Sequence, residues 1–153
     1  MKGNRSKLTA VALAAVSALL VLAAYAASRR VVFMGDSITE FWGRPSNSFF
    51  MLEPGFTDKG IHGQTSGQML ARFQHDVIDE HPHAVVILAG LNDLSVAAGD
   101  AGFKMATGNI QRMAEQAKAN GVQVVIGSVL PIDPATRVGR MYHTPEEIPA
   151  INT

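Results

Sequence analysis

The chain has 153 residues, 47% of them apolar and 17% charged, with no cysteine and a formal net charge of zero. That is the composition of one ordinary globular domain, and it excludes a disulfide framework, a thiolate metal site, an iron–sulfur cluster and a cysteine nucleophile. The charge balance removes the electrostatic case for nucleic acid or an anionic membrane surface as a partner.

The charges are unevenly placed. Lys2, Arg5 and Lys7 precede an apolar run over residues 8–24, and the first acidic residue is Asp36, which is the layout of a secretory signal. Ala24-Tyr25-Ala26 offers the small residues that a signal peptidase needs. Cleavage is therefore expected after Ala26, giving a signal over residues 1–26 and a domain over residues 27–153 that is exported to the periplasm or the extracellular space. The competing expectation is an uncleaved anchor facing outward, since about 20 apolar residues can cross a bilayer. That anchor would be the chain's one membrane association, and no cysteine stands at the junction to carry a lipid.

Beyond the signal, short β-branched runs alternate with helical patterns, the signature of βαβ units around a parallel sheet. Strands are predicted over residues 30–34, 56–61, 84–89 and 122–129. The last two are continuous apolar runs and are expected to be central and covered on both faces. A helix is expected from near Ile38. Met69, Phe73 and Val77, with Leu70 beside them, mark a second over residues 65–80, capped by Thr65 or Ser66. Phe103, Ala106, Ile110, Met113 and Ala117 mark a third, which Asn120-Gly121 stops. Pro131, Pro134, Pro145 and Pro149 crowd the end. A doubly wound sheet ordinarily adds another strand and helix there, so the domain is expected to be incomplete at its C-terminus.

In open parallel sheets the ligand crevice lies beyond the carboxyl ends of the strands. The first strand runs into Gly35-Asp36-Ser37-Ile38-Thr39, the second into Gly60-Ile61-His62-Gly63-Gln64-Thr65, and the third into Gly90-Leu91-Asn92-Asp93. A hydroxyl, a glycine N–H and a carboxamide delivered to one edge fit a serine nucleophile with an oxyanion hole. Ser37 would attack, while its own backbone N–H, that of Gly63 and the Asn92 side chain would hold the developing negative oxygen. Asp36 and Asp93 are expected to fix the local turns. Phe41, Trp42, Phe49 and Phe50 either line an acyl pocket or cover the sheet, two uses that draw on the same residue types.

These three blocks resemble the first three of the SGNH hydrolases, also called GDSL esterases and lipases. The resemblance covers residues 30–94 by motif, with Gly35, Asp36, Gly90 and Asp93 supporting it, and continues to Thr153 by the strand and helix pattern. It implies a flavodoxin-like three-layer α/β/α fold with a central parallel sheet, and hydrolysis of small-molecule carboxylic esters or thioesters through an acyl-serine. In that family the residue matched by Ser37 is the nucleophile, and those matched by Gly63 and Asn92 are oxyanion donors.

The same resemblance leads one to expect a late Asp-x-x-His block that supplies the general base, and the chain has none. Three residues before His62, His75, His81, His83 and His143 stand Lys59, Arg72, Ile78, Glu80 and Arg140. Glu80 and His83 mimic the spacing with a Glu, but at the amino edge of the sheet. His62 is expected in a loop or packing role. Loss of the base from such a unit lowers turnover on the order of a millionfold, so this chain is expected to be nearly inactive and to stop short of that block. Gly63-Gln64-Thr65-Ser66-Gly67 lacks the Gly-Lys-Ser/Thr ending of a phosphate loop, and Ser37 lacks the second glycine of a Gly-x-Ser-x-Gly elbow. Neither cofactor nor metal is expected. The reading is a serine esterase of esterase or lysophospholipase type, with a thioesterase, a carbohydrate O-deacetylase, a noncatalytic ligand-binding domain and a flavodoxin-like nucleotide binder as rivals.

Overall fold

The computed structural model describes residues 13, 15–22, 30–46, 49–97 and 100–129. The expected cleavage site at residues 24–26, the proline-rich end and His143 lie outside the described residues. Residues 15–22 are helical and exposed. Among the described residues no helix is long and apolar enough to cross a membrane.

Four parallel strands form one sheet in the order β2-β1-β3-β4: β1 (Val31–Gly35), β2 (Phe56–Gly60), β3 (Ala84–Leu88) and β4 (Gln123–Ile126). The register sets Gly35 opposite both Gly60 and Leu88, so the first three strands end at one level. The order reverses direction at β1, because the chain steps from β1 to β2 on one side and then crosses back to β3 on the other. With right-handed crossovers, such a reversal puts the connecting helices on opposite faces.

The helices obey that rule. Between β1 and β2 lie the short helices α1 (Ser37–Trp42) and α2 (Phe49–Leu52), and between β2 and β3 lies α3 (Ser66–Phe73). After β3 come α4 (Leu91–Val96) and α5 (Asp100–Ala119). Side chains alternate along a strand. Val32, Met34, Val85 and Ile87 therefore share one face, where they pack with Met69, Phe73, Val77, Ile110 and Met113, all buried. On the other face Phe33 meets Phe49, Phe50 and Phe56 at ring separations of 5.4, 5.2 and 5.0 Å. The result is the expected α/β/α layering.

Five elements differ from the sequence reading, β2 and β3 only in ending one residue earlier than predicted, at Gly60 and Leu88. β1 begins at Val31 and takes in Gly35, one residue later than predicted. The helix predicted over residues 65–80 is α-helical only to Phe73, then widens into a π turn over Gln74–Ile78 that the Asp79 N–H closes on the Gln74 carbonyl. Val77 and Ile78 are both buried there, which a spacing of four from Phe73 indicates only for Val77. β4 is four residues long, and among the described residues it is an outer strand rather than a central one. Val125 and Ile126 are 53% and 55% exposed.

Gly60 sets how closely α1 approaches β2, since a Cβ there would collide with the backbone nitrogen of Glu40 and the carbonyl carbon of Thr39. Neither atom can yield without moving α1. Gly60→Ala is expected to lower unfolding stability by about 1–3 kcal/mol, measured by denaturant titration against wild type.

Candidate active site

The site grows from the three turns that leave β1, β2 and β3. After Gly35 the chain turns through Asp36, whose buried carboxylate accepts the Ile38 N–H at 2.9 Å and so caps α1. Ser37 is the first residue of that helix and is half-buried. After β2, residues 61–64 form a loop in which Gly63 is exposed and adopts φ 73°. The loop closes on a capping box, in which Thr65 Oγ1 meets the Gln68 N–H while Gln68 Oε1 accepts the Thr65 N–H at 2.9 Å. After β3, Gly90 at φ 116° reverses the chain into α4 and places Asn92 in its first turn.

Asn92 joins the three turns. Its Nδ2 donates to the Gln64 carbonyl at 2.9 Å and to Asp36 Oδ2 at 3.3 Å. Beneath it Asp93, fully buried, accepts the Ser66 N–H at 2.9 Å and the Ser66 hydroxyl at 2.6 Å. Asn109 Nδ2 from α5 completes the cluster by donating to Ser66 Oγ at 3.0 Å. The starts of α3 and α4 are thereby clamped together. Asp36 feels this crowding. Burial, the dominant influence, raises its carboxyl above the usual value; the Ile38 N–H opposes the rise, Asp93's charge adds to it and nearby His62 reduces it.

A cavity of about 760 Å³ opens beside the Ser37 turn, lined by Ser37, Ile38, Phe41, Trp42, Arg44 and His62. The Arg44 guanidinium lies 4.3 Å over the Phe41 ring. The four aromatics thus divide their labour. Phe41 and Trp42 line the Ser37 cavity, while Phe49 and Phe50 pack on Phe33, and Trp42 and Phe49 also bound a second cavity of about 440 Å³ with Phe33 and Val86. Gly63 and Asn92 are not among the lining residues of the Ser37 cavity. His62, expected in a loop or packing role, stands on the cavity wall with Ser37. His83 is exposed just before β3, and Glu80 pairs with Arg30, which precedes β1, and with the Lys59 ammonium reaching it from the end of β2.

A family model for GDSL-like lipases and acylhydrolases matches residues 33–153. The chain belongs to that family. It is 44% identical to a GDSL-like lipase from Bacteroides thetaiotaomicron, over 82% of this chain and 60% of that one, with a TM-score of 0.70. A candidate acylhydrolase from Bacteroides fragilis is 40% identical over 80% of this chain and 59% of its own, also at a TM-score of 0.70. A Geobacillus acetyl-xylooligosaccharide esterase variant, 19% identical over 80% of this chain and 68% of that one, shares the fold at a TM-score of 0.58. No curated protein matches the chain. This GDSL chain spans about 60% of the length of the two Bacteroides proteins.

Sequence reasoning passed over three residues of this GDSL site or gave them no role in it. Ser66 appeared only as a possible helix cap, and Asn109 not at all. Arg72 on α3 is the third, with its Nε donating to Gln64 Oε1 at 2.7 Å and its NH1 to Asp76 Oδ2 at 2.6 Å. The one local signal for it is the i,i+4 pairing with Asp76. Burial would raise the Asp76 carboxyl, but hydrogen bonds from Arg72 and His75, with the charges of Arg72 and Lys59, outweigh it and hold the group below its usual value.

Two outcomes follow from these clusters. Asp93→Ala leaves the buried Ser66 N–H without its acceptor and is expected to cost about 1–3 kcal/mol of unfolding stability, read from denaturant curves. Asp76 has a depressed folded pKa, so its contribution is present above the ordinary carboxyl value of 3.8 and is lost as pH falls through the folded value. The stability deficit of Asp76→Asn, followed by thermal melts across pH, should therefore be full near neutrality and narrow below pH 3.8.

Proposed function

We propose that this GDSL domain hydrolyses small-molecule carboxylic esters through an acyl-Ser37 intermediate, and that it acts outside the cytoplasm. The observation that carries the reading is the Asn92 carboxamide, which ties the Ser37 turn to the Gly63–Gln64 loop at the edge where the Ser37 cavity opens. In acylation Ser37 Oγ bonds to the ester carbonyl carbon and the carbonyl oxygen takes the negative charge. Collapse of that intermediate breaks the bond to the alcohol, which leaves with the proton given up by Ser37 Oγ, and water then adds its hydroxyl to the acyl carbon and returns a proton to Oγ, freeing the acid.

The chain's own residues support the oxyanion part of this chemistry. Preorganised N–H donors stabilise a tetrahedral oxyanion without reorganising. The backbone N–H groups of Ser37 and Gly63 and the Asn92 amide would supply them. Asn92 Nδ2 would exchange its longer contact, 3.3 Å to Asp36, for the oxyanion while keeping the 2.9 Å bond to Gln64. The aromatic walls from Phe41 and Trp42 suit an apolar acyl or alcohol group. The export signal read in Lys2, Arg5, Lys7 and the apolar run after them supports action outside the cytoplasm.

A second reading, a noncatalytic ester-binding pocket, draws on the lack of an Asp-x-x-His in these residues. A serine hydroxyl without a base is a weak nucleophile. Treatment of the purified chain with a fluorophosphonate separates the two. Phosphonylation of Ser37, seen by mass spectrometry, slow for want of the Asp-x-x-His base, abolished in Ser37→Ala and slowed further on the order of a hundredfold in Asn92→Ala, is the expected result. A folded protein that takes no label would be the binder.

A further inference from the structure

The loop that carries Gly63 has little packing to hold it. Gly63 is exposed, and a Cβ placed on it would meet no heavy atom within 4 Å. An oxyanion donor displaced by about 1 Å can cost on the order of a hundredfold in rate, so whatever aims this loop matters to the chemistry.

The ties on it are polar: the Ile61 N–H donates to the Gly35 carbonyl at 3.1 Å, and beyond Gly63 two more meet at Gln64. Its carbonyl accepts from Asn92 Nδ2 at 2.9 Å, and its side-chain oxygen accepts from Arg72 Nε at 2.7 Å. The Arg72 side chain is only 16% exposed. Its NH2 donates to the Lys59 carbonyl at 2.8 Å and the Gly35 carbonyl at 3.3 Å, and its NH1 to Asp76 Oδ2 at 2.6 Å. One planar guanidinium thus spans the last residue of β1, two positions before Ser37, the end of β2, and the residue after Gly63. Such a fork fixes directions as well as charge, which a lysine ammonium does not.

We infer that Arg72 is a positioning residue, which sets the Gly63 N–H relative to Ser37 by holding the Gln64 side chain against the ends of β1 and β2. This rests on the acyl-Ser37 reading above. A purely structural role would be confined to the Asp76 pair and the two strand carbonyls. Gln64→Leu separates the roles, because it removes the tie to the loop and leaves every other Arg72 contact in place.

The test measures two things in wild type, Gln64→Leu, Arg72→Lys and the double variant, with the melting temperature of each recorded. One is the rate at which a fluorophosphonate labels Ser37, forming the Oγ–P bond and releasing fluoride. The other is backbone amide exchange over residues 60–65. Gln64→Leu, melting like wild type, should label on the order of tenfold more slowly and exchange faster over residues 60–65. Arg72→Lys, which keeps the charge but not the fork, should do the same. The double variant should lose no more than either single, as expected of two halves of one interaction. Wild-type labelling and exchange in Gln64→Leu would overturn the inference. Absence of labelling in wild type would instead count against the acyl-Ser37 reading, and exchange over residues 60–65 would then decide the Arg72 inference by itself.

Discussion

Everything at the site depends on β1 being hydrogen-bonded on both sides, with Gly35 level with Gly60 and Leu88. That register makes three turns, far apart in the chain, leave the sheet side by side at the point where its order reverses. Nothing in α1, a helix of six residues, could bring Ser37 toward Asn92 unaided. The covered face of the sheet, with Val32, Met34, Val85 and Ile87 against α3 and α5, is what holds the strand ends in that arrangement.

The interior beneath the site is partly polar. Asp36, Ser66 and Asp93 are buried, and the two carboxylates draw their satisfaction from N–H and hydroxyl donors rather than from cations. Burial of this kind is costly unless every oxygen has a partner. The same partners are what dictate the direction of each turn. At Asp36 the N–H groups that fix the turn oppose the rise that burial gives its carboxyl.

The three blocks were legible in the sequence because each is local turn chemistry: a glycine, left-handed at Gly63 and Gly90 and tight against Thr39 at Gly35, with a short polar side chain within a few positions. The stripe of Met69, Phe73 and Val77 and the stop at Gly121 were legible for the same reason. Arg72 was not, because its carbonyl acceptors at Gly35 and Lys59 carry no side-chain identity, and its Gln64 partner lies more than two helical turns away. The Asp93–Ser66 clamp joins residues 27 positions apart, a distance over which neither helical nor strand periodicity says anything. The run over residues 122–129 reads as a doubly covered strand since hydrophobicity reports what a strand tolerates. Its neighbours are set by the rest of the topology.

The parallel pairing of β1 with β3 has a further consequence, for the order of events as the chain folds. Val32 pairs with Val85 only after β2 and α3 have been traversed, and loops of that length close slowly compared with local turns. The Ser37 turn can form early from Asp36 and Ile38 alone, whereas the Asn92 carboxamide reaches it only when this long crossover closes. A nascent chain released before β3 would display Ser37 in a capped turn without that carboxamide beside it. The tie between the Ser37 turn and the Gly63–Gln64 loop is thus a late folding event.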